Sequence, residues 1–294
     1  MSGHFRAFSF VDRIAPARDT SRIEGSYVIP AGLETFPSSL AAEAVGQLAA
    51  WGAMKAVDFE RRPIAGLAGR IDLLDAAEPG QVLQLAAEIE SVDAEAVAYR
   101  GCAKVDGTEI IRLEECVGPM IPVVDLDDPE ELRERFALLC GPGVGPGGFD
   151  GLPHFVLHPV ARESGSWARA AFQVPTSAPI FADHFPRRPI FPGSLLVQVC
   201  LELAGALAGE IPRPAASKWR LQSVLDVKLR EFILPGKSLE LEARLKQRTD
   251  ASAMLTIRIR AGEDASGGAS KDVVGSARLL LGLETCQRAQ ESCP

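Results

Sequence analysis

Residues 181–202 read FADHFPRRPIFPGSLLVQVCLE, and a degraded copy of this stretch lies earlier in the same chain. The pentapeptide Phe191–Leu195 (FPGSL) matches Phe36–Leu40 (FPSSL) at an offset of 155 residues. A long apolar segment follows each copy, and the offset holds through it. The chain is therefore built from two related halves, as expected after gene duplication.

The two halves differ at the positions that carry chemistry. At the offset of the repeat, His184 corresponds to Ile29, and Gln198 corresponds to Glu43. The second half thus has a histidine without the acid, and the first half has the acid without the histidine. On a helix as apolar as that of the first half, a carboxylate is expected to be buried for a functional reason.

Each half shows the same order of predicted elements. Alternating apolar and polar residues predict strands, and a Phe-Pro turn precedes a long helix, over 38–56 in the first half and 194–208 in the second. Further alternating segments follow around a Pro-Gly turn in both halves. The pattern predicts an α+β fold with two antiparallel sheets, each wrapped around a long central helix.

A linker separates the halves. Residues 128–139 form a charged amphipathic pattern with Pro129 in the first turn, which predicts a helix, and the glycine-rich residues 141–148 follow. The chain is thus divided into an N-terminal unit with the acid, a linker, a C-terminal unit with the histidine and a polar tail, at residues 1–122, 123–151, 152–283 and 284–294.

Composition excludes several functional classes. The net charge of -8 argues against a general nucleic-acid binder, since neutralising phosphates requires a basic face. The six cysteines form no CxxC pair and none lies at zinc-ligand spacing from a histidine, so we expect reduced thiols, no metal and a cytoplasmic protein. The apolar stretch 190–209 contains Gln198 and Glu202, which favours a buried helix over a membrane span.

The motif HFPxxPIxPGxL, from His184 to Leu195, resembles the signature of the 3-hydroxyacyl-[acyl-carrier-protein] dehydratases, which have the hotdog fold. Val11–Ile14 (VDRI), Asp226–Arg230 (DVKLR) and the Pro235-Gly236 turn agree with this resemblance. The resemblance implies a double hotdog whose halves pack as a pseudo-dimer. It also implies acyl carrier protein as the partner, with the substrate on its phosphopantetheine arm and no other cofactor.

The resemblance further implies a composite site. In this family each site takes its histidine from one subunit and its acid from the other, so His184 is expected to meet Glu43. Dehydration requires a base for the C2 proton, here His184, and an acid for the departing C3 hydroxyl, here Glu43. The backbone N-H of Gly193 would bind the thioester oxygen, and Gln47, one helical turn after Glu43, would orient the carboxyl group.

Other residues of the motif are candidates for binding the substrate. We expect an apolar acyl tunnel between the helices, lined by Phe185, Phe191 and Leu195. Arg187 and Arg188 are candidates for contact with the acidic carrier protein.

Two other functions remain open from the sequence. A hotdog thioesterase would use Glu43 to activate water and would not need His184. A non-catalytic partner of another dehydratase would bind the carrier protein without turnover. The fused pair of halves could be monomeric or form a homodimer.

Overall fold

The computed structural model describes residues 5–16, 21–145, 148–262 and 272–285. The first half begins with two strands, continues with a long helix and ends with five strands. These elements are β1 (Arg13–Ile14), β2 (Arg22–Val28), α1 (Ser38–Ala56), β3 (Arg61–Pro63), β4 (Leu67–Leu73), β5 (Val82–Val92), β6 (Ala96–Val105) and β7 (Thr108–Pro122).

The linker forms a 3-10 turn (Val123–Asp125) and α2 (Pro129–Cys140). The second half then repeats the order of the first, with a 3-10 turn (Pro179–Ala182) before its helix. Its elements are β8 (Leu157–Glu163), β9 (Trp167–Gln173), α3 (Gly193–Glu210), β10 (Ser217–Leu229), β11 (Ser238–Arg248), β12 (Ser252–Ala261) and β13 (Val273–Thr285).

The two central helices form where the sequence predicts them, and each follows a Phe-Pro turn. Pro37 and Pro192 are the N-caps, and neither helix has a side-chain cap. In α3 the buried residues recur at helical spacing, which places one apolar face on the strands of the second half. α1 packs in the same way on the strands of the first half. The helices therefore form because each buries an apolar face, without help from capping side chains.

The strands form one continuous antiparallel sheet, in the order β1-β2-β5-β6-β7-β4-β10-β13-β12-β11-β9-β8, with β3 attached to β7. The prediction of two separate sheets is wrong in this respect. β4 pairs with β10 across the two halves, and Ser223 Oγ donates a hydrogen bond of 2.6 Å to Asp72 at this seam. This pairing satisfies the backbone groups that two separate sheets would leave exposed at their edges.

The strand order is symmetric about the seam. Replacing each strand of one half by its counterpart in the other gives the same order from both edges, so the halves meet at equivalent strands. Such self-complementary contact is typical of two-fold related subunits. The sheet therefore brings α1 and α3 together on one face, where they contact each other.

The linker helix begins as predicted. Asp128 is its N-cap and accepts hydrogen bonds from the backbone N-H groups of Glu130 and Glu131. The predicted tail begins later than expected, since Glu284 belongs to β13 and pairs with Lys218 at 3.1 Å. Residues 286–294 of that tail, and 146–147 of the glycine-rich linker, lie outside the described residues.

Of the described residues, only α3 forms a helix long and apolar enough to cross a membrane. Eight of its residues are buried, and it packs against β9, β10, β11 and β12. This is the environment of a core helix, as the sequence predicts.

Candidate active site

A cavity of about 200 Å³ lies between the two halves, and both halves contribute to its wall. Every residue to which the sequence analysis assigns a chemical role lines this cavity. These residues are Glu43, Gln47, His184 and Gly193, and two of the predicted substrate-binding residues, Phe185 and Phe191, join them.

His184 is held in one tautomer by its own loop. Its Nδ1 lies 2.9 Å from the carbonyl oxygen of Ile190. Because a carbonyl only accepts, Nδ1 carries the proton and Nε2 keeps its lone pair. The backbone holds the loop closed, since His184 N donates to Ile180 O and Ile190 N donates to His184 O, both at 3.0 Å.

The protonation state of His184 suits a base. Burial is the main cause that lowers its pKa, and Glu43, when it is ionised, acts in the opposite direction. The net effect favours neutral imidazole near pH 7. Glu43, which comes from the other half, is the largest of the influences that favour the charged imidazole.

Glu43 is oriented by Gln47, one turn further along α1. The Nε2 of Gln47 donates to Glu43 Oε1 and to Phe8 O, both at 3.0 Å. Its Oε1 accepts a hydrogen bond of 2.8 Å from Phe10 N. All of these contacts are consistent with a single orientation of the amide, so Gln47 presents N-H to the carboxyl group.

Gly193 is the first residue of α3 and lies at the cavity wall. A Cβ at this position would overlap the end of the Leu229 side chain, so any other residue here would require that flexible side chain to move. The first N-H groups of a helix lack acceptors within the helix and carry partial positive charge. With no side-chain cap at Pro192, this end of α3 is suited to bind a negatively charged oxygen.

The second pseudo-site lacks these groups. Ile29 is completely buried, and it offers no group that transfers a proton. Gln198 accepts a hydrogen bond of 2.9 Å from Ser39 Oγ and lies 3.5 Å from Glu202 Oε1 through its Nε2. This position is therefore a polar contact between the two central helices, without the base of the first site.

Three of the predicted binding residues lie outside the cavity wall. Leu195, a residue of α3, is completely buried in the hydrophobic core and does not line the cavity. Arg187 contacts Asp128 at 2.7 Å and Val124 O at 3.1 Å. Arg188 lies over the ring of Phe232, a residue that does line the cavity, at 4.9 Å.

Both halves contribute apolar residues to the cavity wall, and the contribution of the first half comes largely from α1 and its strands. Residues of α1 and of the strands behind it form an apolar surface with few polar groups. They are Ala50, Met54, Val97, Tyr99, Leu113 and Cys116. Leu196, Val197 and Leu201 of α3 line the same cavity, so both central helices contribute to its wall, and an acyl tunnel between the helices stays a prediction.

The structure adds residues that the sequence does not reveal. Asp183, next to His184, is buried and accepts hydrogen bonds from the backbone N-H groups of Phe5 and Phe8. Its position in the motif is the only signal in the sequence. Arg62, from β3, also lines the cavity, and nothing in its local sequence indicates this.

The described residues contain no cluster of three or more histidine, cysteine, aspartate or glutamate side chains that could hold a metal ion.

Comparison with known proteins agrees with this site. A family model described as ApeI-like, ApeI dehydratase, matches residues 160–269. FabZ of Pasteurella multocida (strain Pm70), a 3-hydroxyacyl-[acyl-carrier-protein] dehydratase, is 33% identical over 104 residues, which are 33% of this chain and 68% of that protein. The chain belongs to this family of hotdog-fold dehydratases. The family model covers the half with His184, and Glu43 lies outside the matched residues.

The chain is also similar to a second curated dehydratase and, in its fold, to a solved thioesterase structure. FabZ of Mannheimia succiniciproducens is 31% identical over 96 residues, 31% of this chain and 64% of that dehydratase. A putative oleoyl thioesterase from Lactobacillus plantarum has a TM-score of 0.56 at 9% identity and covers 90% of this chain and 97% of its own. At 9% identity, this similarity shows only that the two proteins share a fold. It gives no information about the reaction of the present chain.

Proposed function

We propose that this chain dehydrates 3-hydroxyacyl thioesters carried on acyl carrier protein, at one composite site per chain. The observation that carries the proposal is the pairing of His184, with its free Nε2, and the Gln47-oriented Glu43 at one cavity. A base and an acid from two halves are the groups that a 1,2-elimination of water requires. Fatty-acid or polyketide-like synthesis would use such a reaction.

The reaction follows from the roles of these residues. His184 Nε2 removes the C2 proton, and electron density moves toward the thioester oxygen, where the N-H of Gly193 donates. The C2–C3 double bond forms as the C3–O bond breaks, and Glu43 supplies the proton that makes water of the leaving hydroxyl. The product is the trans-2-enoyl thioester, and the proton taken by His184 must return to Glu43 before the next turnover.

The acyl chain would extend along the apolar wall of the first half, with the phosphopantetheine arm entering past Phe232. The exposed Arg188 lies beside Phe232, and both it and Arg187 are candidates for contact with the acidic carrier protein. The carrier protein is thus the proposed partner, and the phosphopantetheine arm belongs to the substrate.

The purified protein should interconvert 3-hydroxyacyl and trans-2-enoyl thioesters of acyl carrier protein, with no release of free thiol. Mass spectrometry of the carrier-bound acyl group measures the loss of water, and a thiol reagent measures hydrolysis in the same reaction. Gln198→Ala is the matched control at the second pseudo-site, and we expect it to turn over as the wild type does. Thiol release without the enoyl product would instead indicate a thioesterase, and carrier binding without turnover a non-catalytic partner.

A further inference from the structure

The linker holds the loop that carries the histidine. The backbone N-H of Arg187 donates to Leu126 O at 3.0 Å, and its guanidinium donates to Val124 O and to Asp128. Leu126 is completely buried in a small apolar cluster with Ile64, Phe185 and Ile190. The loop that follows His184 is thus packed against the start of the linker, and not only against its own half.

Arg62 connects this packing to the histidine ring. Its guanidinium forms an ion pair with Asp127, whose side chain is 1% exposed, and lies over the ring of Phe185 at 4.4 Å. The His184 ring stacks on the same phenylalanine, with ring centroids 4.1 Å apart and an interplanar angle of 24°. Phe185 is therefore held on one side by a planar cation and contacts the catalytic ring directly.

The contacts of the Arg62 guanidinium connect both halves and the linker. It comes from the half that supplies the acid, its counter-ion comes from the linker, and it contacts the half that supplies the histidine. Removing one partner of a buried ion pair leaves an uncompensated charge, so the two groups are expected to act as a unit. The planar guanidinium also stacks on an aromatic ring in a way that lysine does not reproduce.

We propose that Arg62 is a positioning residue that fixes the His184 imidazole in the cavity, through Phe185 and with Asp127 as its counter-ion. The first half then supplies Glu43 as the acid and, through Arg62, also positions His184, the base. The kinetic consequence rests on the dehydratase activity proposed above, whereas the effect on the imidazole does not.

The positive charge of Arg62 is also expected to affect the pKa of His184. Glu43 of α1, Arg62 of β3, Arg135 of α2, Asp183 and Glu231 line the cavity together with His184, and Asp127 of the linker pairs with Arg62. Burial is the largest cause that lowers the pKa of His184, and the positive charge of Arg62 lowers it further. Loss of that charge should therefore raise the pKa and protonate the base at a higher pH.

The test removes both charges of the pair, with Arg62→Met and Asp127→Asn in one chain, so that no buried charge is left alone. We expect kcat for dehydration to fall about 10- to 100-fold, since small misplacement of a catalytic group has effects of this size, while KM stays near that of the wild type. The acidic limb of the pH profile should still move to higher pH when both charges are removed, because Arg62 is the member of the pair that lowers the pKa of His184. Arg62→Lys, which keeps the charge, should return the limb toward its original position and restore only part of kcat.

Arg61→Met is the matched control, because Arg61 is the neighbouring residue of β3 and donates to Met120 O, away from the cavity wall. It should leave kcat and the pH profile unchanged. The same variants are examined without substrate by NMR of labelled histidine, with the His184 signal assigned from His184→Ala. The His184 resonances should shift and titrate at higher pH in the double variant alone.

The NMR measurement separates this inference from the proposed function. If the wild type does not dehydrate the thioester but the His184 signal responds as expected, only the reaction is wrong. A folded double variant with wild-type His184 shifts and titration would overturn the positioning role, whatever the activity.

Discussion

Replacing His184 with alanine should reduce the rate of dehydration about 10²- to 10⁴-fold, the usual contribution of a positioned general base. Among the described residues that line the cavity, His184 is the only histidine. The measurement is formation of the enoyl thioester from 3-hydroxyacyl carrier protein, followed over the same concentration range as for the wild type.

A second variant separates catalysis from support of the loop. In His184→Asn the side-chain amide N-H can replace Nδ1-H as donor to Ile190 O, a bond of 2.9 Å in the wild type, while no group replaces Nε2. We expect His184→Asn to fold as the wild type does and to be as inactive as the alanine variant. His158→Asn, in an exposed part of β8, is the control and should keep full activity. Wild-type turnover in either His184 variant would exclude His184 as the base.

Replacing Glu43 with glutamine should reduce the dehydration rate by a similar factor, about 10²- to 10⁴-fold, because the leaving hydroxyl loses its proton donor. The change preserves the shape of the side chain and leaves an oxygen to accept the hydrogen bond from Gln47 Nε2, which is 3.0 Å long in the wild type. The loss should therefore appear in kcat rather than in KM, measured on the same carrier-bound substrate.

Glu202→Gln is the control for this variant, since it makes the same change on an exposed part of the other central helix. It should retain wild-type kcat and KM.

The two active-site variants also distinguish a dehydratase from a thioesterase, because a thioesterase that activates water with Glu43 would lose activity in Glu43→Gln and keep it in His184→Ala. Loss in both variants is the expected result, and retained dehydration in Glu43→Gln would contradict the role of the acid.

Much of the fold follows from local sequence patterns. The Phe-Pro turns and the apolar segments that follow them correctly predict α1 and α3, and the charged amphipathic pattern with Pro129 in its first turn correctly predicts the linker helix. The sequence predicts two sheets and not one, because strand alternation identifies the buried face of a strand but not the strand that lies next to it. The pairing of β4 with β10 depends on contacts between the halves that no local pattern contains.

The candidate site could be predicted from the repeat because the missing acid of one half is present at the equivalent position of the other. Leu195 shows the limit of this reasoning, since its place in the motif does not tell which side of α3 faces the cavity. Arg62 shows a second limit, because its partners Asp127 and Phe185 are 65 and 123 positions away in sequence. Such a long-range ion pair and ring contact become visible only in three dimensions.

The most direct test of the composite site is complementation between two inactive chains. His184→Ala and Glu43→Gln are co-expressed with different affinity tags, and dehydration is measured on the mixture and on any species that carries both tags. If His184 and Glu43 of the same chain form the site, neither preparation should exceed the activity of the single variants. Recovery of a large fraction of the wild-type rate would show that the base and the acid come from different chains, and would contradict one composite site within each chain.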